Sequence, residues 1–470
     1  MHLTRSPLLS TLILGTAVAT AAALAPTPAQ ACGGFFCSQV PIDQTGEQIL
    51  FAQSGDSIEA HVNIQYAGPS EEFAWIVPTP SRPEVGISSM NVFQQLEWRA
   101  GIQFRLDWSG GDSCSWGIYP PGLADDFDAS ESEEPEVTVV EESSVGPYDF
   151  AVLQATNTEA LFDWLQSNNY DIPDDVQPFV DPYVDAGGNI HFVAFRLQSN
   201  RDVGDLAPVR LKYISSAPMV PIQLTAIATQ PDLGVTVHVL ADDRAVPDNY
   251  LHVHINEARI DWFTGGSNYD EVVTEAMNEA GGQGFHTEYA GPSSIMAESL
   301  YMEGWFDTAR LATLTDPVAF VDELMNQQFR GNPQLMAMFM RYIPFPAELE
   351  AEGVTAQQFY NRLEDYRDYL DADNFDAQAF ADELEESVVE PLRHAQDLFD
   401  NRPYLTRMYT TLSAEEMSRD PVFAYNSDMA NVDNIRTATA TAMCDDTNNP
   451  EGTVLTVTLS DGRAITATID

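Results

Sequence analysis

The period of the apolar residues changes partway along the chain, and that change limits the folds open to it. From Glu59 to Tyr66 the apolar residues at 60, 62, 64 and 66 fall on one side of an extended chain, the two-residue repeat of a β-strand. Residues 46–53, 57–67 and 73–77 read as short strands, after which Pro78, Pro80 and Pro83 impose an extended exit because proline cannot donate to a ladder. A short helix is expected over 91–99, then a strand over 148–154 and a helix over 157–168. Further strands are expected at 188–197, 207–214 and 221–229, with a hairpin of 235–240 and 250–255 turning around Asp242-Asp243-Arg244. A helix over 269–280 is stopped by Gly281-Gly282. From about 294 to 400 the spacing becomes three and four, as in Phe359, Leu363, Tyr366 and Leu370, then Phe380, Leu384 and Val388, which is helical. Residues 454–459 and 464–469 return to strand spacing around Ser460-Asp461-Gly462, a hairpin signal.

The expected fold class is therefore α+β: a β-rich N-terminal half with short helices, a helical C-terminal segment and a closing β-hairpin. The expected organisation is a signal peptide over 1–31, a β-rich α+β region over 32–292 with an acidic loop at 121–146, a helical region over 293–400, and an extended segment with the C-terminal hairpin over 401–470. With 44% hydrophobic residues the chain is able to bury a large core, and its length fits two or three domains.

Arg5, the apolar run from Leu8 to Ala25 and the small residues of Ala29-Gln30-Ala31 have the order of a cleavable secretory signal. The mature chain is then expected outside the cytoplasm, as a periplasmic, cell-surface or secreted protein without a transmembrane helix, since no later stretch approaches the ~20 apolar residues of a span. Lipid attachment at Cys32 is the alternative, but Ala29 and Gln30 match such a site poorly. Cys32, Cys37, Cys114 and Cys444 all survive cleavage after Ala31, and an even number in an oxidising compartment points to two disulfides. Three connectivities are open, of which Cys32–Cys37 with Cys114–Cys444 is favoured because the first pair closes a small local loop.

The chain carries 72 acidic against 21 basic residues, a formal charge of −51, and Lys212 is its only lysine. That excludes general nucleic-acid binding, which needs a basic face, and opposes adsorption to anionic lipid. The acids are spread along nearly the whole chain, the pattern of a surface adapted to salty water. Nine of them lie between Asp125 and Glu142 with no base. This run reads as a solvated loop, and calcium is the minority reading because the D-x-D-x-D-G spacing is missing.

No G-x-S-x-G elbow, HExxH, Walker loop or dinucleotide fingerprint occurs, so no catalytic and no cofactor-binding residue is assigned. His252 and His254 stand two apart in an expected strand, and His238 in the strand before it. Three imidazoles on one face are a weak candidate for zinc, with solvent-exposed histidines the reading preferred.

Cys32-Gly-Gly-Phe-Phe-Cys37, Phe73-Ala-Trp-Ile-Val-Pro-Thr-Pro80, Val237-His-Val-Leu240 with Pro247 and Asn249-Tyr250, Leu405-Thr-Arg-Met-Tyr-Thr-Thr-Leu-Ser413 and Asp420-Pro-Val-Phe423 occur together. From Cys32 to about Asn426 the chain resembles the bacterial exported family called domain of unknown function 2330. The resemblance implies an envelope or secreted setting and carries no active-site residue. The expected function is a non-enzymatic binding or structural component of the cell envelope or secreted fraction, with an envelope or extracellular protein as possible partner. The alternatives are an extracellular hydrolase or other enzyme whose site forms only in the fold, and a calcium-dependent module.

Overall fold

The computed structural model describes residues 43–67, 74–109, 138–168, 170, 172, 176–185, 190–199, 201, 203–227, 229–442 and 454–468. The N-terminal part runs β1 (Asp43–Ser54), β2 (Ser57–Ala67), β3 (Ala74–Thr79), β4 (Glu84–Ile87), α1 (Met90–Ala100), β5 (Gln103–Trp108), β6 (Thr138–Val145), β7 (Tyr148–Gln154), α2 (Thr158–Ser167), α3 (Gln177–Asp185) and β8 (His191–Leu197). After these come β9 (Val209–Ile214), α4 (Ile222–Thr225), β10 (Thr229–Ala241), β11 (Ala245–Pro247), β12 (Leu251–Val253), α5 (Tyr269–Glu279) and β13 (Gly284–Pro292). The helical segment holds α6 (Thr308–Leu311), α7 (Pro317–Asn326), α8 (Leu335–Tyr342), α9 (Ala347–Ala351), α10 (Ala356–Asn361), α11 (Ala377–Leu384) and α12 (Glu390–Asp400). The chain closes with β14 (Tyr404–Leu412), β15 (Phe423–Tyr425), β16 (Ile435–Ala442), β17 (Val454–Leu459) and β18 (Ala464–Thr468).

The elements stack in four layers, one of them an eight-stranded sheet of order β12-β13-β14-β10-β1-β2-β9-β4. In β1, Ile49 and Phe51 point into one core, while Leu50 and Ala52 point into another on the opposite face. This is why Ile49-Leu-Phe-Ala52 is an unbroken apolar run, as in a strand covered on both sides. The first core lies between this sheet and the four-stranded β3-β8-β7-β6 sheet. The outer face of that second sheet is covered by α2 and α3 through Leu161, Trp164, Leu165, Val180 and Tyr183. On the far side, α1 and the helical segment cover Leu50, Ala52, Leu240 and Leu405. A four-stranded β18-β17-β16-β5 sheet packs separately against α5.

Caps fix where the helices begin. Ser89 accepts from Asn91 N–H at α1, Asn157 from Ala160 N–H at α2 and Asp316 from Ala319 N–H at α7, each satisfying a donor that the first turn leaves free. The whole helical segment is an excursion between β13 and β14, which are antiparallel neighbours. Sheet pairing thus joins the successive regions of the chain, since β14 also pairs with β10.

The mixed α+β class, the β-rich N-terminal half and the closing hairpin are as expected, with β17 and β18 paired across a turn where Gly462 has φ 86°. Three local expectations fail. Residues 221–229 do not form a strand: Ile222–Thr225 is a helical turn whose Gln223 N–H donates to the Asp420 carboxylate. A short apolar run reads equally well as either element. The 235–240/250–255 hairpin does not form either. β10 pairs with β1 in parallel and with β14, whereas β12 pairs with β13, because alternation marks a strand but not its partner. Finally, the end of the expected acidic loop is strand β6, which pairs with β7 across a turn at Gly146, φ 54°. Residues 121–137 lie outside the described residues, as do the expected signal segment 1–31 and Cys32, Cys37, Cys114 and Cys444.

Candidate functional site

The sheet face beneath α1 and α12 carries polar groups that the alternation of β2 puts there. Ala60, Val62 and Ile64 face the first core, so Glu59, His61 and Asn63 face the helices. That face is covered: Glu59 is 5% and His61 1% exposed. Arg210 stands opposite His61 in β9, and Ser88, also 1% exposed, sits between β4 and α1. His394 arrives from α12. The chain from Ala377 to Asp400 passes through α11, a π-helical turn over Glu385–Val389, and α12 with Pro391 at its start. Proline has no N–H for the preceding turn, and π turns of this kind recur at functional sites.

Glu59 Oε1 accepts from both rings, from His61 Nε2 at 3.1 Å and from His394 Nε2. On the other side of its ring, His61 Nδ1 is 2.7 Å from Ser88 Oγ. A neutral His61 with its proton on Nε2 satisfies both contacts, the Ser88 hydroxyl donating to Nδ1. Arg210 Nη1 is 3.9 Å from Glu59 and 3.5 Å from His394 Nε2, and its Nη2 is 3.6 Å from the exposed Glu84. Burial pushes the Glu59 pKa up, but the hydrogen bonds from His394 and His61, with their charges, outweigh it and hold the carboxyl below the usual range. Burial pushes His61 down, against the pull of Glu59 and with the help of His394 and Arg210. The ligand atoms of Glu59, His61 and His394 all lie within 4.8 Å of one another. The His394 side chain is 38% exposed and gives the cluster its opening to solvent.

A second charged group is buried further along the same face. Arg407 of β14 pairs through Nε with Glu288 and through Nη1 with Glu97 at 2.7 Å. The Tyr269 hydroxyl donates to Glu288 at 2.6 Å. Burial, then the Glu288 charge, raises the Tyr269 pKa well above its ordinary value.

Beside these clusters an open groove of about 920 Å³ runs along the edge of α1. Its polar lining is mostly carboxamide, from Gln48, Asn63, Gln94, Gln103 and Gln334, and its rim carries Trp98, which is 78% exposed. Glu97 also lines the groove.

Of the three histidines singled out from sequence, the structure brings two together and sets the third apart. His252 and His254 stack with ring centroids 5.3 Å apart, and His252 Nε2 is 2.9 Å from Thr287 Oγ1. His238 lies buried in β10, opposite Arg407, with β14 and β13 between it and the strand of His252. The cluster that does form was missed because it needs His394, which no local pattern links to β2. Half of it is visible as Glu59-Ala-His61, two polar groups on one face of a strong strand.

A family model described as an uncharacterized protein conserved in bacteria (DUF2330) matches residues 26–344, and the chain belongs to that family. The matched stretch holds Glu59, His61, Ser88, Arg210 and the residues lining the groove. It ends before His394 and short of the Asn426 reached by the sequence resemblance. Neither a curated protein nor a solved structure matches the chain.

Proposed function

For this member of the family, we propose an exported, non-enzymatic binding protein of the cell envelope or secreted fraction, whose ligand is a neutral, polyhydroxylated molecule of the oligosaccharide class. The groove beside α1 carries the reading. The exposed carboxamides of Gln94 and Gln103 offer a donor and an acceptor each, which suits the hydroxyls of a sugar. An exposed indole gives a flat apolar face for the C–H side of a pyranose ring. Among the described residues the one charged side chain lining the groove, Glu97, is held by Arg407, so the lining favours a neutral ligand over an ionic one.

An enzyme is the second reading, because Ser88, His61 and Glu59 stand in the order nucleophile, base and orienting carboxylate. Their burial disfavours it: a nucleophile must meet its substrate, and Ser88 is 1% exposed. The groove reading is tested by titrating the mature protein with neutral cello- and malto-oligosaccharides while following tryptophan emission. A saturable change that Trp98→Ala abolishes supports it. No saturable response across the panel, or release of shorter products, contradicts it, and shorter products favour the enzyme.

A further inference from the structure

We propose that Glu59, His61 and His394 form a binding site for one divalent transition metal of the zinc class, fastening the helical segment to the central sheet. Two imidazoles and one carboxylate are a donor set that zinc takes in sites that keep an open position. Calcium does not fit, since it needs six to eight oxygens. All three ligand atoms lie within 4.8 Å of one another, and the two nitrogens now share Glu59 Oε1. A cation would take the place of the protons that hold this arrangement together.

The surroundings suit such an ion. Metal-bound histidines engage their other ring nitrogen with a fixed partner, and His61 Nδ1 already has Ser88 Oγ at 2.7 Å. In the bound form Nδ1–H donates to Ser88 and Nε2 is free for the metal. Ligands must also be deprotonated. Binding would therefore release the ring protons that now face Glu59 Oε1.

Arg210 opposes a cation and must withdraw from the cluster. A place for it exists. Its Nη2 is already 3.6 Å from Glu84, and the guanidinium passes over Gly86, where a Cβ would come within 2.7 Å of it. Solvent reaches the cluster at His394, so the ion need not cross the core.

The test is calorimetric titration of the metal-stripped mature protein with zinc chloride, in excess calcium to occupy surface carboxylates. Thermal unfolding with and without zinc is measured alongside, each variant against its own metal-free midpoint. The wild type is expected to bind one zinc per chain and unfold at higher temperature with it, as any ligand of the folded state requires. His394→Ala and His394→Gln are expected to lose both effects. Ser88→Ala is expected to bind about ten- to a hundredfold more weakly, the usual effect of losing an outer-shell partner. Absence of zinc binding by the wild type, or binding unchanged in both His394 variants, overturns the proposal. Unchanged affinity in Ser88→Ala overturns the role given to Ser88.

Discussion

His394 and Glu59 are 335 residues apart in the chain and share a hydrogen bond. The bond crosses from α12 to β2 and ties the helical excursion between β13 and β14 to the sheet it covers. Most of that attachment is apolar, through Leu50, Ala52, Leu240 and Leu405. The Glu59 contact is polar, and so is sensitive to a single atom.

His394→Ala should therefore destabilise the metal-free protein by about 1.5 kcal/mol, the low end of the range for a hydrogen bond to a charged group, because the ring is partly exposed. Urea unfolding checks this. A midpoint identical to wild type would mean that His394 does not fasten the helix.

The Glu288–Arg407 pair is buried on both sides. Glu288→Ala leaves the guanidinium with only the half-exposed Glu97 and should cost about 3–5 kcal/mol. Replacing both partners together, as Glu288→Leu with Arg407→Met, should recover much of that loss, because two well-packed apolar groups leave no buried charge unpaired. Denaturant unfolding of the single and double variants separates these outcomes.

Stability should fall on acidification from neutral pH. Burial lowers the His286 pKa to about 3, and burial together with Arg407 takes His238 well below its ordinary value. The unfolded chain takes up a proton on each ring below about pH 6.5, while the folded chain does not. The stabilisation is thus complete above that pH and is lost as pH falls, for His286 down to its folded pKa. Each ring contributes a slope of about 1.4 kcal/mol per pH unit. Chemical unfolding between about pH 7 and 5 should show the loss, and His238→Leu should remove about one ring's share of the slope.

The formal charge of −51 makes self-repulsion large at low ionic strength. Because salt shortens the reach of such repulsion, the melting temperature should rise with sodium chloride. A melting temperature independent of salt would count against a surface adapted to salty water.

Much of the architecture could be read from residue spacing. Alternation located β2, short apolar runs marked β1, β7 and β9, and the caps at Ser89, Asn157 and Asp316 fit the local signals of helix starts. Partners were not legible. Nothing local says that β10 lies beside β1 rather than against 250–255, since every strand offers the same backbone groups to any neighbour. For the same reason His238 was grouped with His252 and His254, from which two strands separate it. Glu59-Ala-His61 was legible as a polar pair on one face, but that face is dry only because α1 and α12 cover it. The groove depends likewise on α1 crossing near Gln48 and Asn63, a contact set by tertiary packing.

The most direct measurement is diffraction from a crystal of the protein soaked in the neutral oligosaccharide that changes its tryptophan emission at the lowest concentration. One intact sugar chain is expected in the groove, with a pyranose ring against Trp98 and hydroxyls on the exposed carboxamides of Gln94 and Gln103. A sugar bound elsewhere, or one cleaved beside Ser88, would contradict it.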